Sequence, residues 1–122
     1  MTGNGKYINE TDIEKFVDEY IDSFIVWDLL LFYFNNPLAV ESVSSLANCL
    51  GRVDRDVKTC VNSLVKREVL KAADGGTFIY SPSPETAERI KCFNDALAIA
   101  NLRLTILSQV LSKRKVRPWK QD

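Results

Sequence analysis

Between residues 52 and 66, side chains that can donate hydrogen bonds recur with helical spacing. Arginine and asparagine can make paired hydrogen bonds to the edges of guanine and adenine, and lysine and threonine can hold phosphates. A helix that presents such side chains together therefore suits a nucleic acid. The residues that we predict to make these contacts are Arg52, Arg55, Lys58, Thr59, Asn62, Ser63 and Lys66.

Two short helices around a tight turn would position these side chains. The first is predicted to begin at Glu41 or Ser42, and Gly51 ends it in the left-handed conformation that glycine adopts without strain. Asp54 is predicted to cap the second, which continues to about Arg67. The predicted inward face of this second helix is Val57, Val61, Leu64 and Val65.

A two-stranded hairpin is predicted after the second helix. Residues 69–72 and 77–80 are rich in apolar and β-branched side chains and flank a turn that contains Gly75 and Gly76. Lys71 and Thr77 lie on this hairpin. We predict that both contact the same ligand as the helix.

Two helices are predicted ahead of this unit. The first begins at Thr11, which forms a capping-box pattern with Glu14. The second covers residues 23–35 and stops before Pro37. It is apolar on nearly every side, which predicts burial all round. Ser23 either caps this second helix or lies within one continuous helix.

The last part of the chain is predicted to form one helix, with Ser83 as its N-cap and Pro84 at its first position. Its apolar residues alternate in steps of three and four, which predicts about 30 helical residues and a length of roughly 45 Å. Either this helix folds back over its own domain, or, as we prefer, it pairs with a second copy. The predicted dimer-interface residues are Ile90, Phe93, Leu97, Ala100, Leu104, Leu107 and Leu111; a second stripe of Ala96, Ile99, Leu102, Ile106 and Val110 widens the apolar face.

The stretch AVESVSSLANCLGRVDRDVKTCVNSLVKREVLKAADGGTFIYSP, with the apolar helix ending in NNP before it, resembles the winged helix-turn-helix of MarR- and ArsR-like transcriptional regulators. The resemblance implies a mainly α fold with a small β-hairpin, in which residues 23–82 form the winged helix-turn-helix domain. Residues 1–22 would form an N-terminal arm and helix, and residues 83–122 a long C-terminal helix and basic tail. Both flanking helices would serve dimerisation. The implied function is transcription regulation by a homodimer that binds double-stranded DNA. The similar positions are Leu46-Ala47, Leu50-Gly51, Val57, Leu64 and Val69-Leu70.

An alternative hypothesis is a winged-helix module that binds other proteins and not DNA. The chain has 16 basic and 16 acidic residues, with two bases against eight acids over residues 1–41 and eight bases against four acids over residues 83–122. Asp54 and Asp56 place negative charge at the tip of the candidate recognition helix, and Asp74 lies in the hairpin turn. Glu68 stands where such regulators often have glycine. These features favour the alternative.

The residue types argue against catalysis. The chain has no histidine, P-loop, GxGxxG or metal motif, so we predict neither an enzyme nor a cofactor. Cys49, Cys60 and Cys92 form no CxxC pair and are expected to be buried free thiols; a redox switch at Cys60 is less favoured. Without a signal peptide or a membrane-length apolar run, we expect a cytoplasmic protein that does not contact membranes. The sequence does not indicate any small-molecule effector.

The chain ends in a basic segment. Residues 113–120 contain five bases and Trp119. One interpretation is an additional contact with phosphates or RNA. The other is a solvated helix end whose cations suit the negative end of the helix dipole.

Overall fold

The computed structural model describes residues 9–116, and the side chains of residues 9–113. Predictions for the arm before residue 9, and for the basic tail after residue 116, lie outside this range. The coarser fold prediction is confirmed, since the chain is mainly helical with a small antiparallel sheet. No helix in the described range is long and apolar enough to cross a lipid bilayer. The elements are α1 (Glu10–Tyr20), α2 (Phe24–Asn35), β1 (Val40–Ser42), α3 (Val43–Leu50), α4 (Asp54–Lys66), β2 (Leu70–Ala73), β3 (Thr77–Tyr80), α5 (Pro84–Leu97) and α6 (Ala100–Val116).

Caps that can be recognised in the sequence set several helix boundaries. The Ser23 hydroxyl accepts a hydrogen bond from the first turn of α2, so α1 and α2 are separate helices. Ser83 caps α5 in the same way, and Pro84 occupies the first helical position. Gly51 ends α3 with a φ of 65°, a conformation that costs glycine little.

Two predicted caps are wrong. Asn9, not Thr11, caps α1, since its side-chain oxygen accepts from the Asp12 N–H at 3.2 Å. Asp54 does not cap α4 either, because it is the first helical residue and the N-cap position belongs to Val53. The Asp54 carboxylate instead accepts a hydrogen bond of 2.9 Å from a serine hydroxyl of α3. In each case a residue one or two positions earlier in the chain occupies the N-cap.

The three strands form an antiparallel sheet in the order β1-β3-β2. The predicted hairpin is confirmed, with Leu70 opposite Tyr80 and Gly75 at positive φ in the connecting turn. We did not predict β1, which pairs Val40 with Ile79. Three residues are too few to give a recognisable alternation, and this pairing joins segments far apart in sequence.

The predicted single C-terminal helix is wrong, because the chain breaks at residues 98–99 between α5 and α6. With 3.6 residues per turn, the residues that the two helices bury would lie about 120° apart around one straight helix. A straight helix therefore could not bury both sets against the same core. The buried residues are Ile90, Phe93 and Ala96 in α5, and Ile106 and Val110 in α6.

One cluster of buried apolar side chains includes residues from α1 to α6. The ring centroid of Phe93 lies 5.1 Å from that of Phe16 and 5.8 Å from that of Trp27, so α1, α2 and α5 meet there. Ile90 and Phe93 are thus core residues of their own chain. Their assignment to a dimer interface is wrong, since neither has surface left for a partner.

Helix α2 is less enclosed than predicted. Leu29, Leu30 and Tyr33 are buried, whereas Phe32 and Phe34 are only partly covered. The Tyr33 hydroxyl donates a 2.8 Å hydrogen bond to a backbone carbonyl of β3. Burial, with a smaller contribution from the Glu41 carboxylate, raises the pKa of Tyr33 to about 12.

Lys113 fastens the end of α6 to the junction between α1 and α2. Its ammonium donates to the backbone carbonyls of Val17, Asp18 and Ile21 at 2.9, 3.0 and 2.9 Å. These carbonyls lie at the end of α1, where few helical N–H groups remain to satisfy them. Gln109 donates to a further α1 carbonyl at 2.8 Å. One face of α6 therefore packs on its own chain, which is one of the two arrangements that we considered for the C-terminal helix.

Candidate nucleic-acid interface

Helix α4 presents predicted contact residues on the face that points away from the core. Its inner side consists of Val57, Val61 and Leu64, which are fully buried. Four exposed residues on the opposite side follow one another in steps of four, three and four, so they form one line along the helix. We call this line the α4 stripe; its residues are Arg55, Thr59, Asn62 and Lys66.

Helix α3 and the turn at Gly51 hold this stripe outward. Helix α3 packs behind α4 through Leu46 and Ala47, both fully buried. The left-handed Gly51 reverses the chain, and the Arg52 N–H closes the turn on the Ala47 carbonyl at 2.9 Å. The small Ala47 side chain suits a close approach of two helices, so packing explains why an alanine stands at this position.

The basic side chains of α4 are largely free. Arg55 is 86% exposed, and its contact with Asp56 is long, at 3.8 Å, which contributes little between exposed groups. Among the described side chains, neither Lys58 nor Lys66 is in an ion pair. Ser63 is partly exposed beside the stripe. The cations of α4 are therefore available to an anion.

Two predicted phosphate donors already use their only hydroxyl proton. The Thr59 hydroxyl donates to the Arg55 carbonyl at 3.2 Å, one turn back on α4. The Thr77 hydroxyl donates to the Asp74 carbonyl at 2.7 Å and closes the hairpin turn. Since a hydroxyl carries one proton, neither can donate to a phosphate in this arrangement.

Arg52 lies exposed in the turn between α3 and α4, but it already has an acidic partner. Its guanidinium forms a 2.9 Å ion pair with Asp28 of α2, which ties the turn to the aromatic helix. This partner lies 24 residues away along the chain, and no local pattern signals the pairing. Arg52 therefore contributes first to the position of the turn, and less to a free phosphate-binding surface.

The hairpin adds little positive charge at its tip. Lys71 is exposed on β2 and borders a groove with Val65 and Glu68, at the C-terminal end of α4. The turn itself carries Asp74 and no cation. Of the predicted hairpin contacts, only Lys71 thus remains a candidate, and it lies away from the tip.

Acidic residues occupy the first turn of α4. Asp54 and Asp56 lie there, where negative charge complements the positive end of the helix dipole. Both are exposed. The outer surface of α4 thus changes from mixed charge at its start to basic and polar along the stripe.

A groove runs beside the C-terminal half of the stripe, and Arg67, which we did not predict, borders it. The Arg67 guanidinium lies 3.9 Å from the Asp22 carboxylate and 5.8 Å from the centre of the Tyr20 ring. Arg67 was not a predicted contact, because the predicted helix ended there. The groove is lined by Thr59, Asn62, Ser63, Lys66 and Arg67.

The cysteines do not suit redox control of α4. The Cys60 sulfur lies 3.6 Å from the Ser23 hydroxyl. Burial raises the pKa of Cys60 and outweighs the opposing effect of that hydrogen bond, so the less reactive thiol form is favoured. Cys49 is exposed and Cys60 and Cys92 are only partly buried, which corrects the prediction that all three are buried. Across the described residues, no group of three or more potential ligands could hold a metal ion.

A second candidate surface lies on the outer side of α6. Leu104 is 62% and Leu111 50% exposed, and Ala100 is exposed between partly buried Leu97 and Leu107. From residue 100 to 112 the only charged residue is an arginine, whose guanidinium donates to the Leu97 carbonyl at 3.0 Å. Five of the seven predicted interface residues therefore lie on or beside a surface whose one charged residue, within 100–112, is Arg103.

Comparisons of this chain with protein-family models, curated proteins and solved structures found no match. The candidate interface is therefore defined by local geometry and charge.

Proposed function

We propose that this protein is a winged helix-turn-helix regulator of transcription that binds double-stranded DNA as a homodimer. The α4 stripe carries the proposal. An exposed line of arginine, asparagine and lysine, on a helix whose opposite face is buried, matches the chemistry of base edges and phosphates. The order α2-β1-α3-α4-β2-β3 supports it further, since it is the order of a winged helix, with the β2–β3 turn as the wing.

In the proposed complex, α4 enters the major groove. Arg55 and Asn62 have the side chains that can make paired hydrogen bonds to bases. Lys58 and Lys66 lie beside or on the same line and would meet phosphates. Lys71 would approach the backbone next to the C-terminal end of α4.

The exposed side of α6, whose one charged residue between 100 and 112 is Arg103, supports the homodimer. Depletion of charge with retention of large apolar side chains is typical of the centre of a protein interface. A two-fold pair joined through Leu104 and Leu111 would present two copies of α4. Two such helices read half-sites about 34–36 Å apart, one turn of DNA.

The contact residues are tested with the Arg55→Ala/Lys58→Ala variant in a titration against duplex DNA. We expect at least about a fivefold loss of affinity, since a paired arginine–base contact contributes about 1–3 kcal/mol. The matched control is Lys15→Ala/Lys91→Ala, which removes the same charge from exposed positions on α1 and α5. Equal affinity of the two variants would rule out these contacts.

The dimer is tested by its solution mass. We expect Leu104→Glu/Leu111→Glu to convert a dimer into a 13.8 kDa monomer, because the interface would have to bury four carboxylates. Leu38→Glu is the control, since Leu38 is 92% exposed but lies outside α6. A dimer that survives the α6 changes would place the interface elsewhere.

The alternative function, a winged-helix module that binds proteins, keeps one specific support. Asp54, Asp56 and Asp74 put carboxylates at the two places where a winged helix most closely approaches DNA. If the chain does not bind duplex DNA at low salt, these acidic positions become the first candidates for contact with a basic partner protein.

A further inference from the structure

Arg67 is held more loosely than the other arginines that link distant segments of the chain. The guanidinium groups of Arg52 and Arg89 hydrogen-bond their carboxylate partners at 2.9 and 3.1 Å. The closest approach of Arg67 to the Asp22 carboxylate is 3.9 Å, which is beyond hydrogen-bonding distance. The Arg67 Nε–H is buried and has no hydrogen-bond partner among the described residues. A stronger acceptor could therefore draw this guanidinium away from Asp22.

The groove beside the α4 stripe places Arg67 next to a second cation. This groove has a volume of about 570 Å³ and is lined by Thr59, Asn62, Ser63, Lys66 and Arg67. None of these five residues is acidic. The Asn62 amide, the Lys66 ammonium and the Arg67 guanidinium all donate hydrogen bonds. The groove therefore suits an anion that carries several oxygens.

The position of the groove on α4 suits a backbone phosphate of DNA. Helix α4, with 13 residues, is about 20 Å long, whereas the major groove is about 12 Å wide. A helix that crosses the groove therefore reaches the backbone at one of its ends. The first turn of α4 carries Asp54 and Asp56, so the C-terminal end, with Lys66 and Arg67, is the one that suits a phosphate.

Movement of Arg67 away from Asp22 would leave no carboxylate without a partner. The other Asp22 oxygen lies 3.8 Å from the Lys113 ammonium. The side chains of Arg67 and Asp22 are 35% and 47% exposed, so water can replace their long contact. Ion pairs between partly exposed groups contribute little to stability. The exchange of Asp22 for a phosphate therefore costs the fold little.

We propose that Arg67 binds a backbone phosphate of the duplex that α4 enters, in the groove beside Lys66, and that Asp22 competes with this phosphate. In the free protein the Asp22 carboxylate keeps the guanidinium at the edge of the groove. In the complex the phosphate replaces that contact with shorter, charge-assisted hydrogen bonds. The inference rests on the proposed DNA binding.

The first experiment measures the affinity of Arg67→Gln for a fluorescent random-sequence duplex at several salt concentrations. The logarithm of the affinity falls with the logarithm of salt with a slope of about 0.9 per neutralised phosphate. We expect Arg67→Gln to lose about one unit of this slope per chain and Arg67→Lys, which keeps the charge, to retain it. Urea unfolding shows whether each variant is folded.

Arg89→Gln is the matched control for the loss of an arginine. The Arg89 side chain is also 35% exposed, pairs with a carboxylate and lies 5.3 Å from the centre of the Tyr20 ring, which Arg67 also contacts. It lies on α5 and does not line the groove. We therefore expect Arg89→Gln to keep the slope of the unmodified chain.

The second experiment tests the competition by a gain of affinity. Asp22→Asn removes the competing charge, so we expect DNA binding up to about fivefold tighter, the effect of one exposed ion pair. Asp18→Asn, an exposed position on α1, is the control with the same change in net charge. In the Arg67→Gln background, Asp22→Asn should have no larger effect than Asp18→Asn, because the two residues act through one contact.

The outcomes separate this proposal from the proposed function. If the full chain binds DNA and Arg67→Gln keeps its slope, the phosphate site is wrong and the role of the α4 stripe stands. If Asp22→Asn tightens binding equally with and without Arg67, the competition is wrong. If the full chain does not bind DNA at low salt, the proposed function is wrong, and this proposal with it.

Discussion

Replacing Lys113 with methionine tests how α6 is held against α1. The change keeps the unbranched apolar stem and removes the ammonium that donates to the carbonyls of Val17, Asp18 and Ile21. The Lys113 side chain is only 22% exposed, so water replaces these hydrogen bonds incompletely. The variant thus isolates the contribution of one charged group to the fold.

The expected loss is about 2–3 kcal/mol in the free energy of unfolding. A hydrogen bond to a charged group contributes about 1.5–3 kcal/mol in mutational series. Three bonds share one ammonium, whose desolvation offsets part of the gain, and the freed carbonyls regain some water. The sum is therefore close to the value of one such bond and far below three.

Urea unfolding of Lys113→Met and of a control, Lys91→Met, measures the effect. Lys91 forms an exposed helical ion pair with Asp95 at 3.0 Å, so its loss should barely move the midpoint. A similar small effect in both variants would refute the assignment of Lys113 as the group that holds α6 on α1. The slope with urea must stay constant for the comparison to hold.

Two further predictions concern Tyr33 and Glu68. At pH 9, Tyr33→Phe should be about 1 kcal/mol less stable than wild type, because it loses the hydrogen bond to β3. The pKa of Tyr33 is raised in the fold, from 10.0 to about 12, so its contribution is complete below pH 10 and is lost as the pH rises towards 12. We expect wild type to lose about 3 kcal/mol across this window that the variant does not lose; parallel pH profiles would contradict this. Glu68 adopts a φ of 63°, which strains residues with a Cβ, so Glu68→Gly should raise stability by up to about 1 kcal/mol. Glu88→Gly, in the interior of α5, should lower stability by about 1 kcal/mol; losses of equal size in both glycine variants would show that Glu68 carries no strain.

The local parts of the fold were predictable from the sequence. Gly51 and Ser83 set helix boundaries through contacts within a few residues of themselves, so their types and positions suffice. Ser23 does so too, but its sequence context also allowed one continuous helix. The inner face of α4 follows from the same logic, since Val57 and Leu64 recur at helical spacing. The α4 stripe must then face outward, because it lies on the opposite side of the helix.

The remaining parts depend on contacts between distant segments. The break between α5 and α6 leaves no glycine or proline signal; it arises because two apolar stripes on one predicted helix must face different neighbours. Arg52 is predicted to contact a phosphate, but in the fold its guanidinium forms an ion pair with Asp28 of α2. Thr59 looked like a donor, but its own helix carbonyl accepts its proton. In each case the residue type shows what the side chain can bind, but the group that it contacts in the fold could not be predicted.

The most direct test of the proposed function is a titration of the purified chain against a fluorescent random-sequence duplex at low and moderate salt, with its solution mass recorded alongside. We expect a dimer whose affinity for the duplex falls steeply as salt rises, since phosphate contacts release counterions. A folded protein that shows no binding even at low salt would contradict DNA binding, and a monomeric mass would contradict the dimer through α6.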